Sequence, residues 1–474
     1  MNIERQKLKK VLGRTEVFAL AFGTMVGWGW IMFTSEWIDS AGVMGAIAAL
    51  FLAGMMCIFV GLTYAELTSA FPLAGGELVF SYRSLGYIGS WITGWTITFA
   101  YIGVAAWEGI ALSTAFEYLS PLPKFWYLWT IAGYDVYFSW SVVGIIGAVI
   151  LTILNLFGVR PAAVFQIMLV LMMLIIGIIF MLGGIAFGKT EYLAPLFTNI
   201  SGVGIVMLMA PSMFIGFDIV SKSAEEINMP LKNITSVLIL SIIFAMAWYI
   251  LIILATALSA PSYFRMHSEV PGADSAAFAY QSGLFGKIII AGGICGIITS
   301  WNGFILGASR ILFAMGRAKM LPGIFGKVGS KSQVPSAAIA FVGLICCLSP
   351  LLGENALVWL IDASSFGTVL VYLMVAISFL ILRKKEPNLK RPYVVKNGNM
   401  IGVGAMVSAL FFLYWYTPLS PKSLLWPYEW GLIISWALVG VFLVCILYFL
   451  DLKERVSEPE REMLIFGEEY SREL

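Results

Sequence analysis

Three glycines interrupt the first long apolar segment of the chain, in the stretch Gly23-Thr24-Met25-Val26-Gly27-Trp28-Gly29-Trp30. Each glycine costs helix stability relative to alanine. A helix that breaks inside hydrocarbon leaves amides and carbonyls unpaired, which is tolerated only where they line a polar cavity. Because freed amides at the start of a helix favour an anion, we expect Gly27 and Gly29 to let a carboxylate approach the backbone. The predicted site on this segment comprises Gly23, Val26, Gly27, Trp28, Gly29 and Trp30; the alternative is that the glycines only permit close helix packing.

A second interruption lies in the sixth apolar segment, at Ala210-Pro211-Ser212-Met213-Phe214-Ile215-Gly216. Proline removes a backbone donor and clashes with the carbonyl one turn earlier. The carbonyls freed around Ala210 and Ile215 would suit an amine. Two interrupted helices, each opening one half of a long apolar array, are typical of transporters built from inverted repeats, in which the substrate binds at the membrane midplane. The predicted site on this segment comprises Ala210, Met213, Phe214, Ile215 and Gly216.

The composition is that of a polytopic membrane protein. Of 474 residues, 60% are hydrophobic and 12% are charged, and the mean hydropathy is +0.91. A soluble domain has roughly twice that share of charge. The net charge of +2 gives no reason to expect a nucleic-acid partner. The five cysteines lie in apolar segments without a metal-ligand spacing.

Twelve apolar segments are long enough to cross a bilayer. They lie near residues 16–36, 41–70, 87–118, 138–157, 161–187, 201–222, 233–259, 284–314, 335–352, 356–382, 400–417 and 428–450. An even number places both termini on the same side. That side carries 24 of the 29 lysines and arginines, so we expect both termini to be cytoplasmic. The exceptions are Lys124, Lys189, Arg265, Lys287 and Lys422.

These segments divide the chain into five parts. They are a cytoplasmic N-terminus (1–15), a first inverted repeat of five spans (16–187), a second repeat (201–382), two further spans (400–450) and a cytoplasmic C-terminal tail (451–474). The tail is charged, and we expect it to be frayed or disordered beyond its first turns.

Several stretches resemble the amino acid–polyamine–organocation permeases. The stretch from Tyr64-Ala65-Glu66-Leu67 through Phe71-Pro72 to Gly75-Gly76-Glu77 is similar to the family's signature between its second and third spans. Gly27-Trp28-Gly29-Trp30-Ile31 resembles the family's first helix, and Phe214-Ile215-Gly216-Phe217-Asp218 followed by Ala224-Glu225-Glu226 resembles its sixth. Asn302 and Ser309-Arg310 resemble positions of its eighth helix. The likeness covers about residues 10–395.

The resemblance implies an all-α integral membrane protein with the leucine-transporter fold. That fold has twelve transmembrane helices here, ten of them in a 5+5 inverted repeat with helices one and six unwound at the centre. The resemblance also makes Phe214 an aromatic gate over the substrate and adds Asn302 to the substrate site. The family usually has a small residue after Gly27, where this chain has Trp28. That ring either narrows the pocket or faces a neighbouring helix, or Trp28 and Trp30 offer their faces to a cationic headgroup.

Glu108 on the third segment is the most deeply placed carboxylate away from the cytoplasmic ends. An acid there is costly unless it is paired, protonated or hydrated. It therefore either binds protons or the substrate amine, or lies in a water-accessible external vestibule. Tyr101 is assigned to the substrate site as well. Some relatives that prefer cationic amino acids carry an acid before this tyrosine, where this chain has Ala100, which argues against a cationic substrate.

The coupling ion is expected to be sodium or a proton, and uncoupled exchange of two amino acids stays open. Many proton-coupled relatives carry a lysine in the fifth span, where this chain has Met173, and no lysine lies between Arg160 and Lys189. That proton mechanism is therefore not expected. No other cofactor is expected.

A sodium site is expected between the first and eighth segments. Its predicted ligands are hard oxygen atoms of Gly23, Val26, Gly296, Thr299 and Ser300. The alternative is that the two hydroxyls bond within their own helix.

Charged residues at the cytoplasmic ends of the segments form a predicted gate that closes by ion pairing. It comprises Glu66, Asp218 and Arg310, with Glu225, Glu226 and Arg317 close by. The alternative is ordinary interfacial charge.

The leading hypothesis is a secondary transporter for amino acids or related small amines in the cell (inner) membrane. Its expected partners are a small-molecule substrate and the lipid bilayer, and the sequence leaves the substrate and the oligomeric state open. The alternative is an inorganic ion carrier or channel of the same fold, which would move ions without an organic substrate. An enzyme is not expected, because no paired catalytic acids or metal cluster appear within the segments.

Overall fold

The computed structural model describes residues 5–329, 332–420, 423–449 and 456–469. Lys331 and Lys422, which the charge bias includes, and part of the predicted tail lie outside these residues. In chain order the α-helices of the described residues, α1 to α18, are Arg14–Met25, Gly29–Met32, Thr34–Ala41, Val43–Ala70, Glu77–Leu119, Phe138–Phe157, Val159–Phe187, Ile200–Phe214, Ile219–Lys222, Leu231–Ser259, Ser262–Met266, Pro271–Ala279, Gly283–Arg317, Ser336–Leu348, Ala356–Lys385, Gly398–Tyr416, Tyr428–Phe449 and Glu458–Phe466.

Ten of the helical segments are long and apolar enough to cross a membrane. The ninth apolar segment is shorter, with α14 continued by a 3-10 helix to Leu352. The first segment is divided among α1, α2 and α3, none of which is long enough alone. The chain is therefore a multi-pass membrane protein, and the count of twelve spans stays a prediction.

Large apolar side chains on the outside of the bundle agree with a hydrocarbon environment. Along α7, at least half of the surface of each of five apolar side chains is exposed in the isolated chain: Met168, Leu171, Ile175, Ile178 and Leu182. Exposed apolar area of this extent indicates contact with lipid or with another protein.

The long helices pack in a pattern that would suit two related halves. Helix α4 lies against α10, and α5 lies against α13 and α15. The α4–α10 pair joins the second segment to the seventh and the α5–α13 pair joins the third to the eighth, which are corresponding positions if each half has five spans. The α5–α15 pair joins the third segment to the tenth, which are not corresponding positions. The inverted repeat itself stays a prediction.

Helix α5 contains a sharp bend at Gly86, whose φ of 77° lies in the left-handed region that favours glycine. The bend separates a short first part from the long part that crosses the core. As a result, one helix carries Glu77 at its first residue and Glu108 deep in the protein.

A small antiparallel hairpin joins α5 to α6 and has no counterpart in the sequence analysis. Its strands are β1, Tyr127–Ile131, and β2, Tyr134–Tyr137. The two turn residues, Ala132 and Gly133, both have positive φ, as a tight two-residue hairpin turn requires. The sequence signal is weak because Ala132 takes the place where Asn or Asp usually stands.

The two described ends of the chain meet on one face of the bundle. The Arg5 Nε donates to the Leu464 carbonyl at 3.2 Å. Helix α18, which contains Leu464, begins with a capping box formed by Ser457 and Glu460. The expectation of a disordered tail is therefore wrong for residues 458–466, because a capped helix packs there against the protein. We call this face the N-terminal side.

Candidate functional site

The interruption of the first segment and that of the sixth border one small cavity. Gly27, Trp28, Gly29, Glu108, Met213 and Ile215 line it, as the sequence predicts for the substrate site. Its volume is about 30 Å³, which is room for one or two water molecules. An amino acid needs more space, so side chains or helices have to move before one can bind.

The backbone between α1 and α2 leaves amides free. Val26 still donates to the Phe22 carbonyl at 3.0 Å. In the described part of the chain, the amides of Gly27, Trp28 and Gly29 have no hydrogen-bond acceptor. The Met25 carbonyl accepts from the Tyr249 hydroxyl at 2.9 Å. The interruption therefore presents donors beside the cavity while Tyr249 holds its first carbonyl in place.

Glu108 lies in the cavity wall, completely buried, and not in an external vestibule. A Cβ built on Gly27 would lie 3.0 Å from Glu108 Oε1 and 3.3 Å from Ser300 Oγ. The missing side chain of Gly27 thus leaves the space that these two polar groups border. No cationic side chain of the described residues pairs with Glu108, so an ionised carboxylate would be buried without compensation, which is costly. It is placed to hold a proton or to accept hydrogen bonds from a ligand.

The second interruption begins at Ile215, four residues later than Pro211. Helix α8 continues through Pro211 to Phe214, because a proline without an N–H removes only one bond of the helical ladder. Ala210 therefore lies within a regular helix, and the expectation of a freed carbonyl there is wrong. The backbone leaves the helix at Ile215 and at Gly216, whose φ is 126°.

Gly216 brings the two interruptions into direct contact. A Cβ built on it would lie 2.7 to 2.9 Å from three atoms of Thr24, one of them a backbone carbon. Its amide donates to Asp218 Oδ1 at 3.1 Å. A side chain at this position would push the two interrupted helices apart, so glycine is required by both the close approach and the φ angle.

Phe214 does not lie over the cavity. Its ring packs against Tyr249, with ring centroids 6.1 Å apart, and against Gly54 of α4. Because the interruption starts after Phe214, this residue keeps its helical position and points into the protein core. The aromatic residues that line the cavity are Trp28, Phe33, Trp107, Tyr249 and Phe304.

Trp28 both lines the cavity and packs on a neighbouring helix. Its ring lies on Gly293 of α13, where any side chain would overlap it. The large residue is thus accommodated by a glycine on the facing helix. Trp30 is buried away from the cavity and packs against Trp248 at 5.5 Å between ring centroids.

Asn302 belongs to a buried chain of amides and does not line the cavity. Asn155 donates to Asn302 Oδ1 at 2.8 Å, and Asn302 donates to Gln166 Oε1 at 2.9 Å. Gln166 Nε2 in turn donates to the Thr299 carbonyl at 3.0 Å. The chain of bonds ties α6, α13 and α7 together next to α1.

The residues of the predicted sodium site fit a cation poorly. The Thr299 hydroxyl donates to carbonyls of its own helix, at 2.9 Å to Cys295 and 3.0 Å to Gly296. This agrees with the alternative prediction that the hydroxyl bonds within its own helix. A Cβ on Gly23 would lie 2.7 Å from Gln166 Nε2, so an amide donor stands between Gly23 and Thr299. The carbonyls of Val26 and Gly27 face Gly296, while the positively polarised Gln166 N–H₂ group beside the Thr299 carbonyl disfavours a metal ion there.

Two arginine–glutamate groups lie on the N-terminal side. Arg310 makes a bidentate pair with Glu226, at 2.8 and 3.0 Å. Arg317 pairs with Glu225 at 2.9 Å, and Arg5 pairs with the same carboxylate at 3.1 Å. We call these five residues the N-terminal-side cluster. Leu12 also pairs with Ile227 as an isolated parallel bridge, so the start of the chain is held against the sixth segment.

The three residues of the predicted gate do not pair with one another. Arg310 belongs to the cluster above, and Asp218 pairs with Lys222. Glu66 pairs with Arg383 in the last turn of α15 and with Arg391 in the loop that follows. Glu66 therefore fastens the loop after the tenth segment.

Glu225 is the carboxylate that two arginines of the cluster share. Burial alone would raise the pKa of its carboxyl, but Arg317 and Arg5 outweigh that effect, so the pKa lies below its usual value. Burial, followed by the charge of Arg317, lowers the pKa of Arg5 to about 10. Both groups are charged at neutral pH.

Sequence reasoning missed several residues of the site for identifiable reasons. Tyr249 and Phe304 lie in long apolar segments, where an aromatic residue carries no signal of its own. Lys222 stands at the end of the sixth segment and Glu77 lies between the second and third segments, where charged residues are usual. Gln166 is the one polar residue in the interior of the fifth segment, and that position could have identified it.

Comparisons with known proteins agree with this architecture. A family model described as amino acid permease matches residues 12–450. A methylthioribose transporter of Bacillus subtilis (strain 168) is 25% identical over 434 residues, which cover 87% of this chain and 90% of the relative. The branched-chain amino acid permease BcaP of the same organism is 26% identical, with 86% and 88% covered. A vacuolar cationic amino acid transporter 4 of Arabidopsis thaliana is 27% identical, with 81% and 64% covered.

Proposed function

Because the chain belongs to the amino acid permease family, we propose that it is a secondary active transporter that moves small amino acids or related amines by alternating access. The substrate binds where the two interrupted helices meet. One observation carries this proposal: free amides at Gly27 to Gly29 and the buried carboxyl of Glu108 border the same cavity.

The polar groups would orient the two ends of an amino acid. The free amides at Trp28 and Gly29 suit its carboxylate, and Glu108 together with Ser300 suits its ammonium group. A carboxylate directly at Gly27 would lie against Glu108, so the ammonium group takes that place. The substrate thus supplies the positive charge that Glu108 lacks.

The rest of the cavity favours an apolar side chain. Its walls include Val104, Trp107, Ile215 and Phe304, which have no charge to offer to a cationic side chain. We therefore propose a neutral amino acid with an apolar side chain as the substrate. The named substrates of the relatives include branched-chain amino acids, cationic amino acids and methylthioribose, so the family accommodates both neutral and charged solutes.

We further propose that the protein lies in the cell membrane with its N-terminal side in the cytoplasm. The excess of lysine and arginine on that side supports this orientation. In the described conformation the N-terminal-side cluster is then a closed inner gate. Opening it requires separation of Glu225 and Glu226 from their arginines.

The experiment that tests the site is the substitution Gly27→Val. The added side chain would enter the space bordered by Glu108 and Ser300, so we expect loss of amino acid uptake without loss of membrane insertion. Uptake of radiolabelled L-valine into cells and protein abundance in the membrane fraction are measured together.

Gly431→Val is the matched control, because nothing lies within 4 Å of a Cβ at that position in α17. The control should take up L-valine like the unchanged protein. Normal uptake by Gly27→Val at normal abundance would contradict the proposed site. Ion flux without uptake of any organic solute would favour the ion-carrier alternative.

A further inference from the structure

A lysine and two carboxylates form a completely buried triad below the cavity. Lys222 Nζ pairs with Glu77 and with Asp218, and none of the three side chains is exposed. The ammonium group also lies 4.2 Å from the centroid of the Tyr101 ring, where cation–π attraction adds to the ion pairs. We call Glu77, Asp218 and Lys222 the buried triad.

The charges of the triad do not balance. One ammonium group faces two carboxylates, so the fully ionised triad has a net charge of −1. The other titratable groups that face it are the phenols of Tyr64 on α4, Tyr101 on α5 and Tyr372 on α15, which are neutral when protonated. The adjacent pair of Arg310 and Glu226 is neutral as a unit. A buried uncompensated charge is costly, so one added proton makes the triad neutral.

One atom of the triad is free to take that proton. Within the described residues, Glu77 Oε2 is buried and has no hydrogen-bond partner. Asp218, in contrast, uses both carboxylate oxygens, one for Lys222 and one for the amide of Gly216. The proton is therefore placed on Glu77.

The triad is connected to both moving parts of the site. Asp218 holds the Gly216 amide at the second interruption, where Gly216 contacts Thr24 of the first. On its other side, the Lys222 carbonyl accepts from the Gly75 amide at 3.3 Å, in the turn that leads into α5. Lys222 also ends the short helix α9, which is followed directly by Glu225 and Glu226 of the N-terminal-side cluster. A change of charge in the triad thus acts on the interruption and on the closed face together.

We propose that the buried triad is the proton-binding site of this protein and that its protonation couples transport to a proton gradient. Binding moves one proton from water to a Glu77 oxygen and involves no other bond change. The protonated triad is neutral and stays buried, which keeps the N-terminal side closed. Loss of the proton leaves a net negative charge that is stabilised only by water, so this side opens. The coupling to transport rests on the proposed function, whereas proton binding by the triad does not.

The first test needs no substrate. Leu8 is buried beneath the N-terminal-side cluster, and its amide donates to Glu225. A cysteine at position 8, in a Cys445→Ser background, should react with a membrane-impermeant maleimide only when this side opens. We expect the labelling rate, corrected for the pH dependence of the reagent and of an unfolded control, to rise about tenfold between about pH 5 and about pH 8, because loss of the triad's proton opens this side.

The substitutions Glu77→Gln and Asp218→Asn each leave one carboxylate facing Lys222. Both should fix the triad in its neutral state and make the corrected labelling rate low and independent of pH. The matched control is Glu462→Gln, which removes a carboxylate paired with Arg83 outside the triad and should keep the pH dependence. A pH dependence that survives in both triad variants would overturn the proposal.

The second test measures transport by purified protein in liposomes. An imposed proton gradient should drive accumulation of L-valine, and Glu77→Gln should reduce both this accumulation and the exchange of internal for external L-valine at least about tenfold, because its neutral triad keeps the N-terminal side closed. If unchanged protein moves no L-valine but the labelling result holds, the proposed substrate fails and the proton site stands. If L-valine is transported without any effect of the gradient or of Glu77→Gln, the proton site fails and the transport function stands.

Discussion

Glu225 shows how much a single carboxylate can hold together in this protein. It bonds to Arg317, Arg5, the Leu8 amide and the Ala74 amide. Removing its charge leaves two arginines close together without the carboxylate between them. Breaking a buried ion pair from one side costs about 3 to 5 kcal/mol, which is comparable with the few kcal/mol that separate two conformations of a protein.

We therefore expect Glu225→Gln to open the N-terminal side. Labelling of a cysteine at position 8 should become at least about tenfold faster, at every pH at which the triad keeps this side closed. The control is Glu460→Gln in α18, since glutamine also completes a capping box. Unchanged labelling in Glu225→Gln would show that the cluster does not hold this face closed.

The pH dependence of this closure has a definite sign. The pKa of Glu225 is lowered in the closed state. The ionised Glu225 carboxylate therefore stabilises the closed state fully at a pH above the ordinary carboxyl pKa of about 4.3. This stabilisation is lost as the pH falls through the lowered pKa of Glu225. Labelling at position 8 should thus rise again in strongly acidic buffer, separately from the change expected near neutral pH.

At the scale of helices, Gly216 decides how closely the two interrupted segments approach. We expect Gly216→Ala to destabilise the protein by about 1 to 3 kcal/mol, because alanine is strained at a φ of 126° and its Cβ meets Thr24. The apparent melting temperature in detergent measures this effect.

Gly204→Ala on the same helix α8 provides the control. Nothing lies within 4 Å of a Cβ at that position, and alanine favours a helix by about 1 kcal/mol over glycine. This variant should melt at the same temperature or higher. Equal melting temperatures for Gly216→Ala and the unchanged protein would contradict the close contact between the interruptions.

The helices themselves illustrate what the sequence can and cannot predict. Long apolar segments predict the spans well because burial in hydrocarbon dominates their composition. The glycines at Gly27 and Gly29 predict the first interruption, since little else explains them inside a span. Pro211 predicts the wrong position for the second interruption, because a proline can remain in a helix. The position of the break depends instead on the contacts of Gly216 with Thr24. Those contacts join residues that are far apart in the chain, so the spacing of apolar residues along the sequence cannot predict them.

The sequence predicted only part of the candidate site, because some of its contacts also join residues that are far apart in the chain. Glu108 could be identified from the sequence because an ionised carboxylate deep in the third segment is energetically costly, and the structure places it at the cavity. Phe214 was assigned by resemblance to the wrong face, because its orientation depends on where the helix ends. The pairing of Glu77 with Lys222 was missed, since each residue alone looks like a charge at the end of a span.

At the scale of the whole molecule, ligand binding should stabilise the folded protein by mass action. A ligand at one hundred times its dissociation constant adds about 2.7 kcal/mol. We expect L-valine or another apolar amino acid to raise the apparent melting temperature of the purified protein, and to do so equally in sodium chloride and choline chloride, because Gln166 donates hydrogen bonds where sodium would bind. L-Lysine and common polyamines are the comparison ligands.

A rise in melting temperature that requires sodium would contradict this interpretation of Gln166. It would support the prediction that Thr299 and Ser300 bind sodium as the coupling ion. A rise with L-lysine alone would contradict the proposed apolar substrate.

The two ends of the described chain, at Arg5 and α18, lie together on the face that is expected to move. Arg5 reaches the carbonyls of α18, and Glu462 of that helix reaches Arg83. Opening of this face would therefore change the distance between the termini. A donor and an acceptor fluorophore attached to the two ends would turn each transport cycle into an optical signal, without any label inside the membrane.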